Sequence, residues 1–346
     1  MQSHSEVGSK PRRCLEKLLI MKRNIALVAG GDSSEFEVSL RSAAGIQSFL
    51  DKERYDVTIV TIHGLEWVAQ VSETERVAID KNDFSYTYQG QKHRFDFAYI
   101  TFHGTPGENG LLQGYFDMLK IPYSCCGVLA AALTFNKFTC NHYLRSFGIN
   151  ISPSLLLRKG DSITNAEVRE QIGLPCFIKS NVGGSSFGCT KVKTEADIQP
   201  AIEKAFKEGN EVIIEAFMKG TEITCGVYKT KEKAVAFPIT EVVTSNEFFD
   251  YNAKYKGEVQ EITPARIPDE IRDKVQETTL RIYDLVGCNG IIRVDYILTD
   301  NNTKINLLEV NTTPGMTATS FIPQQVRAAG LEIREVLTDI IENKFK

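Results

Sequence analysis

Two segments near the C-terminus carry polar side chains of the types that bind a metal ion. The segments alternate in polarity as strands do, and the residues between them favour a turn. A turn at 300–303 brings Asp295 close to Glu309, with Arg293 and Asn311 at alternate positions of the same two strands. Carboxylate and carboxamide oxygens suit magnesium better than zinc. The pattern therefore predicts a magnesium site for nucleotide phosphates, beside a guanidinium, and favours ATP chemistry.

The same alternation assigns the other residues of this hairpin to a face. Ile297 and Leu307 should share the metal-binding face, whereas Leu308 and Val310 should be buried on the opposite one. Residues 312–317 follow, where proline and glycine force an irregular backbone rich in free N–H groups. The alternative is an ordinary polar strand face turned to solvent. The apolar opposite face and the irregular segment favour the metal site.

A second candidate site lies upstream, where a predicted strand ends in Lys179 and is followed by the glycine- and serine-rich loop 183–188. Such a loop lets backbone N–H groups approach phosphates closely, while the lysine supplies a positive charge. The GxxxxGK[ST] pattern of a P-loop is absent, and a flexible surface loop is the alternative. Together with the magnesium hairpin, the loop predicts a phosphate site.

Composition limits the class of protein. The chain has 346 residues and is 42% hydrophobic, which predicts two or three packed lobes. Its eight cysteines form no CxxC pair, so a reducing compartment fits best. The net charge of −4 gives no electrostatic case for nucleic acid, and no apolar run is long enough to span a membrane. Residues 1–22 are basic but lack the features of a secretory signal, so we expect 1–20 to be a dispensable extension.

The first lobe begins with a short buried strand at 24–29, a glycine turn and a helix that reaches about Leu50. Further strands are expected at 56–63 and 95–102, which predicts a small parallel α/β sheet with its functional edge at the carboxyl ends of the strands. A nicotinamide-dependent dehydrogenase is the alternative. It is disfavoured because the turn has no GxGxxG and no acidic residue ends the next strand, where His63 stands.

The remaining segments complete the organisation. A strand at 212–215 leads into a hinge at 216–218, and the polar, aromatic stretch 246–257 suits a lid that closes over a site, although a simple exposed loop has the same composition. Residues 324–346 read as one amphipathic C-terminal helix.

Seven segments, taken in order, resemble the D-alanine–D-alanine ligases of the ATP-grasp superfamily, over nearly all of residues 23–346. The segments are GGDSSEFEVSL, HGTPGENGLLQG, LTFNK, IKSNVGGSSFG, DYNAKY, GIIRVDYIL and LLEVNTTPGMTATSFIP. The resemblance implies an α/β ATP-grasp fold of three lobes, with ATP between the central and C-terminal lobes. The implied boundaries are an extension at 1–22, an N-terminal α/β domain at 23–126, a central lobe at 127–216 and a C-terminal lobe, with lid and magnesium site, at 217–346.

The resemblance also implies the residues that contact ATP and metal. Two magnesium ions are expected, with manganese as a possible substitute. The hinge has Ala216-Phe217 where the family often has Lys-Trp, which keeps the apolar cover of the adenine but loses a polar side chain. The implied contacts are Lys137 and Lys179 with phosphates, Ser185 and Ser186 in the loop over the triphosphate, Lys254 with the γ-phosphate, Glu215, Phe217 and Met218 with adenine, Glu222 with ribose, and Asp295, Glu309 and Asn311 with magnesium.

A further set is implied to bind the two amino acids. Arg293 is implied to stabilise developing negative charge, and the Gly315 N–H to complete an oxyanion site. His103 and Glu108 match residues that frame the site, although a lone histidine is more often structural. The remaining matches are Glu35 with the ammonium of the first D-alanine, Ser185 and Tyr255 with Glu35 in closing the lid, and Ser320 and Phe321 with the carboxylate of the second substrate.

The implied function is ATP-dependent ligation of two D-alanines through an acyl phosphate, for cell-wall precursor synthesis, by a cytoplasmic enzyme that is expected to be a homodimer. Two rivals stay open: a ligase that uses D-lactate or D-serine as second substrate, disfavoured by Tyr255, and a nucleotide-binding protein without catalysis. The second rival requires broken catalytic residues, and the implied ones are all present.

Overall fold

The structure is a computed structural model that describes residues 22–32, 35–184, 188–244 and 259–346. Within these residues the helices are α1 (Phe36–Phe49), α2 (Leu111–Leu119), α3 (Val128–Phe135), α4 (Lys137–Arg145), α5 (Asn165–Gln171), α6 (Ile198–Ala205), α7 (Asp269–Val286), α8 (Phe321–Ala328) and α9 (Ile333–Glu342), with a 3-10 turn at Glu195–Asp197. The strands are β1 (Arg23–Gly30), β2 (Tyr55–His63), β3 (Glu66–Gln70), β4 (Arg76–Ala78), β5 (Tyr86–Tyr88), β6 (Gln91–His93), β7 (Phe97–Ile100), β8 (Ser154–Arg158), β9 (Cys176–Ser180), β10 (Thr190–Val192), β11 (Glu211–Ala216), β12 (Thr221–Lys229), β13 (Ala234–Ala236), β14 (Thr240–Thr244), β15 (Val259–Ile262), β16 (Ile291–Thr299) and β17 (Lys304–Asn311).

The first sheet has the order β4-β3-β2-β1-β7, in which β1 runs parallel to both β2 and β7. The predicted parallel α/β sheet is therefore confirmed, and the short antiparallel strands β3 and β4 extend it at one edge. The turn after β1 requires glycine at Gly30. Its φ is +112°, and a Cβ there would lie 2.3 Å from the carbonyl oxygen of Ile62 on the neighbouring strand.

The second sheet is antiparallel, with the order β10-β9-β11-β8. Helices α5 and α6 cover one face, where Ile178, Ile202 and Val212 share a buried core. Because side chains alternate along a strand, Lys179 and Glu215 lie on the opposite face. This sheet therefore holds charged groups on the face that its helices leave uncovered.

The third sheet has the order β15-β14-β12-β16-β17, and β13 pairs with β12. Helix α7 packs on one face, against a core that includes Val294 and Tyr296. The hairpin β16–β17 confirms the predicted strands and turn, and Asp295 lies directly opposite Glu309. A bulge follows this pair, so that Tyr296 pairs with Leu307 and Leu308 has no partner in the register.

The bulge makes two of the predicted face assignments wrong. Leu307 lies in the buried core with Val310, rather than on the face that carries Glu309. Leu308 is only partly buried and lines a cavity between the second and third sheets. An extra residue in one strand reverses the faces of every residue beyond it, which strict alternation cannot anticipate.

The predicted single C-terminal helix is also wrong, since α8 and α9 are separate. Gly330, with φ +69°, lies in the break between them. Helix α9 packs on the first sheet through a core that includes Leu27 and Leu337. Its last residue, Glu342, accepts hydrogen bonds from the Arg23 guanidinium at 3.3 and 3.1 Å. The chain end is thereby tied to the N-terminal domain.

None of the helices in the described part of the chain has the length and apolar character needed to cross a membrane. The boundaries expected at residues 126 and 216 stay predictions, as does the extension at 1–20, which lies outside the described residues.

Candidate active site

A cavity bounded by the second and third sheets, called the main cavity below, has a volume of about 770 Å³. Its walls contain the residues implied to contact ATP that fall within the described ranges. These are Lys137, Lys179, Glu215, Phe217, Met218 and Glu222, together with Asp295 and Glu309. Strands β9, β11, β12, β16 and β17 thus bring residues that are distant in sequence to one space.

A second cavity, of about 430 Å³, opens toward the first sheet. It is lined by residues implied to bind the amino acids or to frame their site, namely His103, Glu108, Gly315 and Ser320, and also by Asn311. The two cavities share lining residues: Glu35, Lys137, Arg293, Glu309 and Phe321 line both. Phe135, Gly183 and Gly184 also line both, so the two cavities adjoin.

Arg293 and Asp295 form a buried ion pair in this shared region. Both guanidinium bonds, Nε to Oδ1 and the terminal nitrogen to Oδ2, are 2.8 Å long. Asp295 also accepts from the Thr224 hydroxyl at 2.6 Å and from the Asn311 amide at 3.0 Å. Burial alone would lower the pKa of Arg293, but the Asp295 carboxylate outweighs it and raises that pKa, as does Glu309. The guanidinium is thus permanently charged and held in one orientation.

The two lysines are likewise held beside carboxylates. Lys179 Nζ lies 2.6 Å from Glu215 Oε2, and both side chains are largely buried. Burial opposes the charge on Lys179, yet Glu215 and then Glu309 raise its pKa. Lys137 Nζ lies 3.7 Å from Glu309 Oε2 and donates to the Gly183 carbonyl oxygen at 2.5 Å. Both side chains line the main cavity, and the raised pKa of Lys179 keeps its ammonium group charged.

The first sheet contributes Glu35, which precedes α1 and is 6% exposed. A Cβ on Gly184 would lie 2.5 Å from Glu35 Oε2, so the lack of a side chain at Gly184 allows the loop to approach this carboxylate closely. His103 lies 3.4 Å from the Ser42 hydroxyl. Burial lowers the pKa of His103; Glu35 opposes the shift and Arg293 adds to it. The imidazole is therefore favoured in its neutral form.

Glu108 joins the first sheet to the segment after β17. Its Oε2 accepts from the Gly104 N–H at 2.6 Å, and its Oε1 lies 2.7 Å from the Thr313 hydroxyl. The same hydroxyl also donates to the carbonyl oxygen of Phe102. Burial, with a further contribution from the Glu35 carboxylate, raises the pKa of Glu108 to about 7. This connection, which sequence patterns did not predict, fixes the segment that leads to Gly315.

That segment ends at the start of α8. The Ser320 hydroxyl accepts from the Thr317 N–H at 3.1 Å and lies 2.8 Å from the Thr317 hydroxyl. A Cβ on Gly315 would lie 3.1 Å from the same Ser320 oxygen. Phe321 stacks against the Arg293 guanidinium at 5.3 Å. Gly315, Ser320 and Phe321 are therefore close together at the second cavity.

Four of the predicted site residues, Ser185, Ser186, Lys254 and Tyr255, lie outside the described residues. All the other residues predicted for the site line one or both cavities.

Family models match two parts of the chain. The model described as D-ala D-ala ligase N-terminus matches residues 24–126, and the model described as D-ala D-ala ligase C-terminus matches residues 143–342. The chain belongs to the D-alanine–D-alanine ligase family. The resemblance read from the seven sequence segments is thereby confirmed.

Curated relatives and solved structures agree with this family. A D-alanine–D-alanine ligase of Phocaeicola vulgatus is 67% identical over 325 residues, which are 94% of this chain and 100% of the relative. A D-alanine–D-alanine ligase of Bacteroides fragilis is 68% identical over 325 residues, which are 94% of this chain and 100% of the relative. Among solved structures, D-alanyl-alanine synthetase A from Vibrio cholerae matches with a TM-score of 0.82 at 30% identity, covering 93% of this chain and 98% of that one. VanG D-Ala:D-Ser ligase from Enterococcus faecalis matches with a TM-score of 0.81 at 29% identity, covering 93% and 99%.

Sequence reasoning missed some residues that shape this ligase-family site. Thr224, on β12, pairs in register with Asp295 and donates to its carboxylate. The clue was available, since Thr224 follows Glu222 at the spacing of one strand face. Asn181 and Thr313 gave no such clue, because their contacts join segments that are far apart in sequence.

Proposed function

We propose that this chain joins two molecules of D-alanine to form D-alanyl-D-alanine, using ATP and releasing ADP and phosphate. The observation that carries the proposal is the pair of cavities with shared lining residues. One cavity has lysines and carboxylates suited to a nucleoside triphosphate, and the other has groups suited to amino acids. Arg293 and Lys137 line both, so they can stabilise charge on a phosphoryl group that passes between them.

In the first step, a carboxylate oxygen of one D-alanine attacks the γ-phosphorus of ATP. The bond from phosphorus to the β–γ bridging oxygen breaks, and ADP leaves. Phosphoryl transfer requires little covalent chemistry from the protein, so positioning and charge stabilisation supply most of the rate. We assign Lys179 and Lys137 as the positive charges on the nucleotide side, and Glu35 as the group that holds the ammonium of the first D-alanine, since all three line the cavities.

In the second step, the neutral amine of the second D-alanine attacks the acyl phosphate carbon. A carbon–nitrogen bond forms, the carbon–oxygen bond to phosphate breaks, and the nitrogen loses a proton. Negative charge develops on the acyl oxygen, and we assign the stabilisation of this charge to Arg293 and the Gly315 N–H. Ser320 and Phe321 are assigned to the carboxylate end of the second substrate. Activity should therefore fall as pH drops below the pKa of the attacking amine.

The donor set at the hairpin fits magnesium. Asp295, Glu309 and Asn311 offer only oxygen ligands, of the hard type that magnesium prefers. Asn311 uses its amide nitrogen to contact Asp295, which leaves its carbonyl oxygen for a metal. The described residues contain no cluster of three or more histidine, cysteine, aspartate or glutamate side chains that could form a different centre. We propose that these three residues hold magnesium, two ions in all, which would neutralise phosphate charge.

D-Alanine is favoured as second substrate over D-serine or D-lactate. The relatives that are 67% and 68% identical carry the name D-alanine–D-alanine ligase, whereas the D-Ala:D-Ser ligase is 29% identical. We place the activity in the cytoplasm, where ATP is available. The seven cysteines among the described residues are all free thiols, which suits a reducing compartment.

We further propose that the protein forms a homodimer through an apolar surface of α2 and α3. Leu111 and Met118 lie on one face of α2 and are exposed, as are Val128 and Leu129 on α3. Gly114 lies between them, and a Cβ there would contact Val128, so the two exposed faces adjoin. Light scattering of the protein, compared with a Leu129→Glu variant, tests this: the wild type should be twice the mass of the variant, and equal masses would reject this surface.

The activity is tested by phosphate release from ATP and magnesium with D-alanine, L-alanine, or D-alanine plus D-lactate or D-serine, followed by mass spectrometry of the products. Release that needs D-alanine and yields the dipeptide is expected, and a metal chelator should abolish it. A mixed product formed in preference to the dipeptide would reject the substrate assignment. If phosphate is not released under any of these conditions, the proposed enzymatic activity is rejected.

A further inference from the structure

Asn181 is a fully buried side chain that none of the steps above uses. It follows β9 directly, two residues after Lys179, and is 0% exposed. Its side-chain oxygen accepts from the Phe138 N–H at 2.8 Å, and its side-chain nitrogen donates to Glu211 Oε2 at 2.7 Å. Its backbone oxygen accepts from the Lys137 N–H at 3.1 Å, and its backbone N–H donates to the Glu211 carbonyl oxygen at 3.0 Å. Both ends of the carboxamide are therefore satisfied.

These bonds join three separate segments. The Phe138 and Lys137 N–H groups belong to the first turn of α4, which has no intrahelical partners for such groups. Glu211 begins β11, and its Oε2 also accepts from the Asn136 amide at 3.1 Å. Asn136 in turn caps α4 by accepting from the Thr139 N–H. The N-terminus of α4, the end of β9 and the start of β11 are thus held by one buried network.

The network lies beneath the two lysines that face the main cavity. Lys137 is the first residue of α4, and Lys179 is on β9. The glycine loop begins just after Asn181, and the Lys137 ammonium donates to the carbonyl oxygen of Gly183. A shift of α4 relative to β9 would therefore change the separation of the two ammonium groups and the start of the loop together.

We propose that Asn181 is a positioning residue that fixes Lys137, Lys179 and the glycine loop in the geometry needed to bind the triphosphate of ATP. The inference rests on the proposed function, because it assumes that these lysines contact phosphates. Asparagine is suited to the task since one short side chain presents an acceptor to the helix and a donor to Glu211. Aspartate would keep the acceptor but place a second carboxylate against Glu211, and alanine would leave both partners without their bond.

The test compares binding of ATP with binding of adenosine, which has the base and ribose but no phosphate. Isothermal titration of the full chain is made for wild type, Asn181→Ala and Asn181→Asp. Asn165→Ala is the control, because Asn165 also uses both ends of its carboxamide in the same lobe but bonds to Glu195 and Gln199 rather than to α4 and β11. Thermal midpoints are recorded for each protein, and the KM values for ATP and D-alanine are measured separately.

We expect both Asn181 variants to bind ATP at least tenfold more weakly while adenosine affinity changes less than twofold. The KM for ATP should rise and the KM for D-alanine should not. Adding Glu211→Gln to Asn181→Asp should recover part of the ATP affinity, because it removes the facing carboxylate. If the Asn181→Ala variant does not fold, the Asn181→Asp variant can still be compared with wild type.

Two outcomes would overturn the inference. Equal losses of ATP and adenosine affinity, accompanied by a lower thermal midpoint, would mean that Asn181 only stabilises the central lobe. Unchanged ATP affinity would mean that the lysines are positioned without it. A wild-type protein that binds neither ligand would instead refute the proposed function itself.

Discussion

Replacing Glu108 with glutamine should stabilise the protein above neutral pH and have little effect under acidic conditions. The reason is the number of hydrogen atoms available for the hydrogen bonds around Thr313. The Thr313 hydroxyl has one hydrogen and contacts two oxygen atoms, those of Glu108 and the Phe102 carbonyl. The carbonyl can only accept, so all the bonds form together only if the Glu108 carboxyl is protonated and donates to Thr313. Glutamine provides such a donor at every pH and keeps an oxygen for the Gly104 N–H.

The magnitude follows from the pKa of Glu108, which burial raises from 4.5 to about 7. A carboxyl with a raised pKa in the folded state gives stability that is present below its unfolded pKa and is lost as pH rises through the folded pKa. At about 1.4 kcal/mol per pKa unit, the loss reaches about 3 kcal/mol at pH 8. For a chain of 346 residues this corresponds to a thermal midpoint lower by about 4 °C.

The assay is a series of thermal unfolding curves at pH values from 5 to 8, without metal or nucleotide, for wild type and Glu108→Gln. The variant should melt at nearly the same temperature as wild type at pH 5 and about 4 °C higher at pH 8. Glu277→Gln, a change on the exposed side of α7, controls for the loss of a surface charge. A difference between Glu108→Gln and wild type that stays constant across this range would refute the proton count and the raised pKa.

Three other changes test the fold and the site. Gly290→Ala should lower the thermal midpoint by several degrees or prevent folding, because φ is +70° and the new Cβ would lie 1.9 Å from the carbonyl oxygen of Ser124; a midpoint equal to wild type would contradict that packing. Lys179→Met should cost about 3–5 kcal/mol by leaving the Glu215 carboxylate buried without its partner, measured by urea unfolding, and Lys179→Met with Glu215→Gln should recover part of it. Arg293→Ala should reduce turnover at least a hundredfold, measured by phosphate release, and retention of wild-type turnover would remove Arg293 from the mechanism.

The local pattern of apolar and polar residues was sufficient to predict much of the fold. The three strands of the first sheet that run parallel are rich in apolar and β-branched residues, and the hairpin β16–β17 alternates in polarity with a turn between its strands. The edge strands β3 and β4 were missed because they are short and largely exposed, so their pairing depends on the neighbouring strand rather than on their own sequence. Gly330 was overlooked as a helix stop because the apolar period continues on both sides of it.

The candidate site could be predicted where a local sequence pattern fixes which residues lie side by side. Asp295 and Glu309 were paired correctly because a hairpin fixes which residues face each other. The faces of Leu307 and Leu308 were not, because the bulge between them depends on how β17 packs against the core. Glu108 illustrates the same limit, since its raised pKa arises from burial and from Glu35, neither of which a linear pattern contains.

The cations of the candidate site are each held beside a carboxylate. Lys179 faces Glu215 from a neighbouring strand, and Arg293 faces Asp295 two positions along its own strand. Each carboxylate balances the charge of its cation and offsets part of the free energy that burial of the cation costs. Under the proposed function, a triphosphate would bring negative charge that competes with these carboxylates for the same cations, and its binding would rearrange the pairs. Magnesium on Asp295 would act in the same direction, by drawing that carboxylate away from the guanidinium. Under the proposed function, these ion pairs are contacts that the nucleotide would replace, and their residues line the main cavity.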